Sequence, residues 1–179
     1  MMKKKITCLA ALVAMGVSCG VYAADIDEQQ LQEDETIYIS GQVGIYNVVR
    51  SASDDGEGAT AYTIEYRDQV KLPFRIRPVG SLMITSDDDW YLSVGVMRDV
   101  RVADPIILSG SFSAGLFHYG DKNVNLRNDL EFKSKIEAAY EFDNRMRLGV
   151  GFSHISNASL GTDNPGTEIL SLNYTLPIN

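Results

Sequence analysis

Between residues 154 and 168 the chain reads HISNASLGTDNPGTE, which brings an imidazole, a hydroxyl and a carboxylate into one short stretch. A serine hydroxyl is a poor nucleophile until a neighbouring base takes its proton, and an imidazole acts as that base when its other nitrogen is held by an acceptor. His154, Ser156 and Glu168 are the parts of such a nucleophile, base and acid set. His154 and Ser156 lie two apart, so on a strand their side chains leave the same face. That face is otherwise apolar, carrying Met146, Leu148, Val150 and Phe152. If the connection that follows is centred on Gly161, Glu168 falls across from His154, and Phe152 with Leu170, Val150 with Leu172 and Leu148 with Tyr174 become same-face pairs. The plainer alternative is that Ser156 and His154 are solvated rim residues, and that Asn157, Asn164, Pro165 and Gly166 only make the turn. His118 has no such partners and reads as a rim residue.

Positioning these groups requires strands, and the rest of the chain supplies them. From Thr36 onward eight runs of alternating apolar and polar residues cover approximately 37 to 49, 59 to 68, 73 to 85, 90 to 99, 106 to 119, 127 to 142, 146 to 156 and 168 to 178. Between them lie SASDDGEGA, SDDD, GDKNVN, DNR and NASLGTDNPGT, all turn-forming in composition. In the fifth run Ile106, Leu108, Phe112, Ala114 and Leu116 share one face, and Ser109, Ser111, Ser113 and Gly115 the other. Small Ser and Gly suit the crowded inside of a narrow closed barrel, so the large apolar faces are expected to point outward, to lipid. Glu131, Lys133, Lys135, Glu137, Glu141, Arg75, Arg77 and Arg147 fall on the inner face, where they must pair with one another. The expectation is an all-β fold, an eight-stranded antiparallel up-and-down transmembrane β-barrel over residues 36–179. Trp90, Tyr140, Phe142 and Tyr174 near strand ends suit interfacial girdles. A soluble lipocalin-like barrel or sandwich with its faces reversed is the alternative. In the membrane reading both termini are periplasmic, and the odd-numbered connections, including 50–58 and 157–167, face outward from the cell.

The amino terminus concerns export. Lys3, Lys4 and Lys5, the apolar run Ile6 to Val21 and the small-residue site ending at Ala23 form the layout of a secretory signal peptide over residues 1–23. Cys8 and Cys19 both lie within it, so the exported chain has no thiol, disulfide or cysteine metal site; a lipoprotein site at Cys19 is disfavoured by Gly16. Residues 24–35 form an acidic, solvated segment. Without the signal, 13 basic face 24 acidic side chains, a balance of -11, which argues against nucleic acid as a partner. No later apolar run reaches the length of about 20 residues that a membrane helix needs.

His154, Ser156, Asn157, Ala158, Asn164, Gly166 and Glu168, in that order and at those intervals, resemble the signature of the PagL-type lipid A 3-O-deacylases of the outer membrane, and Phe132, 22 residues before His154, matches a recurrent position of that family. The resemblance is specific over roughly the last 50 residues. It implies a serine esterase on the outer wall of the barrel, with His154 as base, Ser156 as nucleophile and Glu168 as third member. Asn157 and Asn164 take positions associated with shaping the site and holding the oxyanion, and Phe132 one that contacts substrate. Ser159 departs from the family glycine thought to donate a backbone N–H to the oxyanion; serine can still donate provided that its backbone need not adopt positive φ. The chain also ends in Asn179 where outer-membrane strands often end in an aromatic. The implied substrate is lipid A of lipopolysaccharide, in contact with outer-membrane lipids, with a homodimer left open and no cofactor or metal required. The acidic loops read as solvated surface, or as gathering divalent ions around lipopolysaccharide phosphates. An outer-membrane phospholipase, and a catalytically silent structural or adhesion barrel, are the alternatives.

Overall fold

The computed structural model describes residues 35–51, 58–120, 129–160 and 166–179. The expected signal peptide, all but the last residue of the acidic segment, and Asn164 lie outside them. Eight strands follow in order: β1 (Tyr38–Tyr46), β2 (Ala59–Arg67), β3 (Arg77–Thr85), β4 (Trp90–Ala103), β5 (Ile106–His118), β6 (Leu130–Glu141), β7 (Arg147–Ser156) and β8 (Thr167–Pro177). Each pairs antiparallel with the next, and β1 closes on β8 from Tyr38↔Pro177 to Tyr46↔Ile169, so the barrel has no free edge.

The two faces separate as the alternation predicts. Outside stand Ile64, Leu92, Val94, Phe112, Ile136 and Val150, all exposed; inside, Ser40, Ser81, Ser93, Ser109, Ser113 and Thr175 are buried. A reversed soluble barrel would show the opposite. The interior has no room for more: a Cβ on Gly115 would lie 2.2 Å from the Leu92 carbonyl oxygen. No helix among the described residues is long and apolar enough to cross a membrane.

Charge fills the middle and the terminus-bearing end of the lumen. Arg67, fully buried, donates to Glu65 (2.9 Å) and Glu137 (2.8 Å), while Lys135 donates to both oxygens of Glu65 (2.7 and 2.8 Å) and Asn173 to Glu137 (2.8 Å). A second group joins Arg147 to Asp99 (2.9 Å) and Glu141 (2.7 Å), with the Arg147 guanidinium also donating to the Tyr38 hydroxyl and lying over its ring; Arg101 reaches Glu141 as well. Balanced pairing permits these ions inside, since an unpaired one costs several kcal/mol. Glu131 departs from the expected pairing, buried with neither carboxylate oxygen hydrogen-bonded among the described residues, and Lys133 donates to the Ser81 hydroxyl (3.0 Å). The opposite end is sealed by an apolar plug of Tyr46, Ala59, Ala61, Met83, Tyr91, Phe117, Ile155 and Ile169.

Strand ends differ from the periodicity in several places. β1 stops at Tyr46 because Asn47 turns into the left-handed region (φ 60°) and a short helical turn follows over Val48–Ser51. β3 begins at Arg77 because Phe74 and Arg75 adopt positive φ (63° and 58°) in a 3-10 turn closed by the Leu72↔Ile76 bridge. Arg75 therefore sits in a turn and not on the inner face. β4 runs on to Ala103 through an irregularity at Arg101/Ala103 that keeps it paired with β5, and β6 spans only Leu130–Glu141.

Candidate active site

The site is built on the last hairpin. β7 and β8 pair with His154 across from Glu168, and with Phe152↔Leu170, Val150↔Leu172 and Leu148↔Tyr174, which is the register anticipated from the apolar pattern. Ile155, fully buried in the plug, is the inward residue between His154 and Ser156, and buried Thr167 and Ile169 flank Glu168. These anchors set the outward direction of all three polar side chains. His154 Nδ1 lies 3.1 Å from Glu168 Oε1 on the outer wall, with 45% of the imidazole and 22% of the carboxylate side chain exposed. A carboxylate at Nδ1 favours the tautomer with its proton there, leaving the Nε2 lone pair free to accept one. The β6–β7 turn places Phe132 opposite Ser156 and Ser134 opposite His154. The turn is made by Asp143, Asn144 and Arg145, with Arg145 at φ 63° and hydrogen bonds from Phe142 N–H to Met146 O and from Arg145 N–H to Phe142 O, both 2.8 Å. Phe132 stacks on Phe112 (centroids 5.9 Å, 13°), making a flat apolar wall on one side of the hydroxyl.

The loop after Ser156 is keyed by Asn157, which points inward and is fully buried. Its Oδ1 accepts the Ser159 N–H (2.9 Å) and its carbonyl accepts the Leu160 N–H (3.0 Å). Ala158 and Ser159 both take positive φ, 52° and 64°. The condition set on Ser159 from sequence therefore fails: its backbone does occupy the glycine region, and its N–H is engaged by Asn157. His118 is not brought to the site; it stacks on Trp90 (5.4 Å) at the β4–β5 pair. Among the described residues no group of three or more His, Cys, Asp or Glu is placed to hold a metal ion.

One feature escaped the sequence. A shallow groove of about 400 Å³ on the outer wall is lined by Val43, Ile45, Thr60, Val150, Leu170 and Leu172. Leu170 and Leu172 stand on β8, the strand that carries Glu168. The groove depends on β1 closing against β8, which no local pattern announces.

The model of the lipid A 3-O-deacylase (PagL) family matches residues 87–177, which holds β4 through β8 and both partners of the His154–Glu168 pair. The chain belongs to this family. Over 59 residues it is 42% identical to the lipid A deacylase PagL of Pseudomonas aeruginosa, a match that spans 33% of this chain and 33% of that protein. The crystal structure of the outer membrane enzyme PagL superimposes with a TM-score of 0.60 at 24% identity, covering 79% of this chain and 99% of that one. A de novo designed transmembrane β-barrel (TM-score 0.59, 11% identity, 82% and 98% covered) and Neisserial surface protein A (0.56, 11%, 79% and 97%) are similar in fold. The PagL family match coincides with the strands that carry His154, Ser156 and Phe132, whereas the barrel alone is shared more widely.

Proposed function

We propose that the protein is a lipid A 3-O-deacylase, a serine esterase that hydrolyses the 3-position ester-linked acyl chain of lipid A in the outer leaflet of the bacterial outer membrane. The observation that carries this is the His154–Glu168 pair beside Ser156 on the apolar outer wall, in a chain of the PagL family. A soluble esterase has no reason to put its nucleophile on the lipid side; an enzyme whose substrate is a membrane lipid does. The groove of Val43, Ile45, Leu170 and Leu172 runs down the same wall and suits an acyl chain. Residues 1–23 act as the export signal.

His154 Nε2 takes the proton of Ser156 Oγ as the oxygen attacks the ester carbonyl carbon. The tetrahedral oxyanion is held by Asn164 and a backbone N–H of the 157–160 turn; because Asn157 Oδ1 engages the Ser159 N–H, that amide contributes only once Asn157 lets go. Collapse breaks the bond to the sugar oxygen, which leaves as the 3-hydroxyl after receiving the proton from His154. Water, deprotonated by His154, then attacks the acyl-Ser156 ester and releases the 3-hydroxy fatty acid. Glu168 stabilises the imidazolium in both steps, and Asn157 shapes the turn that carries the donors. No cofactor enters.

Mass spectrometry of lipid A from cells with and without the protein tests the proposal. Loss of one 3-hydroxyacyl group with the wild type and not with Ser156→Ala is expected. Lysophospholipid instead would make it a phospholipase, and no product at all a silent barrel.

A further inference from the structure

Gly166 precedes β8, and its φ lies outside the left-handed region, so no backbone conformation there calls for glycine. His154 does. A Cβ on Gly166 would lie 2.3 Å from His154 Cε1, 2.9 Å from Nε2 and 3.4 Å from Nδ1, against the edge of the ring that bears both nitrogens. We propose that Gly166 is a positioning residue: its bare backbone packs against the imidazole and holds His154 in hydrogen-bond contact with Glu168.

The backbone cannot give way cheaply, because the next residue, Thr167, is fully buried and paired with Ile155. The imidazole can, because it is a half-exposed side chain. A methyl at position 166 therefore displaces the ring and leaves the barrel intact. Reaching ordinary contact at about 3.5 Å moves Cε1 by more than about 1 Å. The Nδ1···Oε1 separation is already 3.1 Å, near the long end of the hydrogen-bond range, so the contact with Glu168 is lost.

The chain has two histidines, so a histidine-labelled sample in detergent micelles shows two imidazoles, with His118 as internal reference. In Gly166→Ala the His154 ring resonances are expected to move, those of His118 to stay, and the heat-dependent gel mobility of the folded barrel to persist. The kinetic arm rests on the proposed deacylase activity. There, kcat should fall about 100-fold with KM within about twofold, as a displacement of about 1 Å at a catalytic base produces. In a Glu168→Ala background, where the contact is already gone, the same substitution should cost no more than about threefold. Unmoved His154 resonances, failure of Gly166→Ala to fold, or an undiminished loss in the Glu168→Ala background would each overturn the proposal. A wild type inactive on lipid A would refute the deacylase reading instead, leaving the resonances to decide the role of Gly166.

Discussion

Replacing Glu168 by glutamine removes a charge and keeps an oxygen able to accept the Nδ1 proton, so it isolates the electrostatic share of the pair. When His154 takes the serine proton it becomes an imidazolium 3.1 Å from Glu168 Oε1. Two unit charges at that separation attract by about 5 kcal/mol at an effective dielectric near 20 and by about 1 kcal/mol in bulk water. With 45% of the imidazole and 22% of the carboxylate side chain in contact with solvent, the pair falls between these limits. A value of about 2 to 3 kcal/mol corresponds to a loss of roughly 30-fold to 150-fold. Because the charge exists only after proton transfer, the loss belongs in kcat, with KM nearly unchanged. Ser156→Ala, which removes the attacking atom, should lose about 10,000-fold or more. Initial rates of 3-hydroxy fatty acid release in mixed micelles, across a range of lipid A concentrations, separate the two parameters. Glu168→Gln as inactive as Ser156→Ala, or within twofold of wild type, would refute this account of a partly solvated orienting carboxylate.

Arg67→Met should destabilise the barrel by about 3 to 5 kcal/mol, because Glu65 and Glu137 are left with Lys135 as their remaining close cation. Urea unfolding in detergent measures it, and a loss under about 1 kcal/mol would mean that the interior ions are well hydrated. Ser159→Gly should stabilise the protein by about 1 kcal/mol by relieving a left-handed backbone at φ 64°, with deacylation unchanged or faster; a sharp loss of activity would assign the work to the serine hydroxyl. Burial raises the Asp89 carboxyl above its ordinary range, partly offset by the Gly120 N–H and the Thr85 hydroxyl, with Asp87 and Asp88 adding like charge. The folded state thus holds the proton more tightly. The stability this contributes is complete below the unfolded carboxylate pKa and is lost as pH rises through the folded value. Asp89→Asn should flatten that fall, and an unchanged pH profile would show that Asp89 is hydrated in solution.

The period of two along each strand is a local property, and it was enough to assign the faces of β5 and β7 and to put His154, Ser156 and Glu168 on the apolar one. Hairpin register was legible for the same reason: a one-residue slip would bury the wrong face, so Phe152 had to meet Leu170 and His154 had to meet Glu168. Alternation does not say which ion pairs with which. Arg67 meets Glu137 across 70 residues only because eight strands close with one stagger, and the same closure sets Val43 and Ile45 beside Leu170 and Leu172. Positive φ at Phe74 and Arg75 was equally invisible, since these residue types do not signal it and local hydrogen bonds and packing impose it, whereas at Ser159 the family glycine raised the question and the folded loop answered it. So was the role of Gly166, whose composition reads as a turn and whose missing side chain makes room for a ring twelve residues earlier in the chain. Faces and pairings within a hairpin follow from local periodicity; contacts between hairpins and the backbone of loops follow from how the closed sheet crowds them.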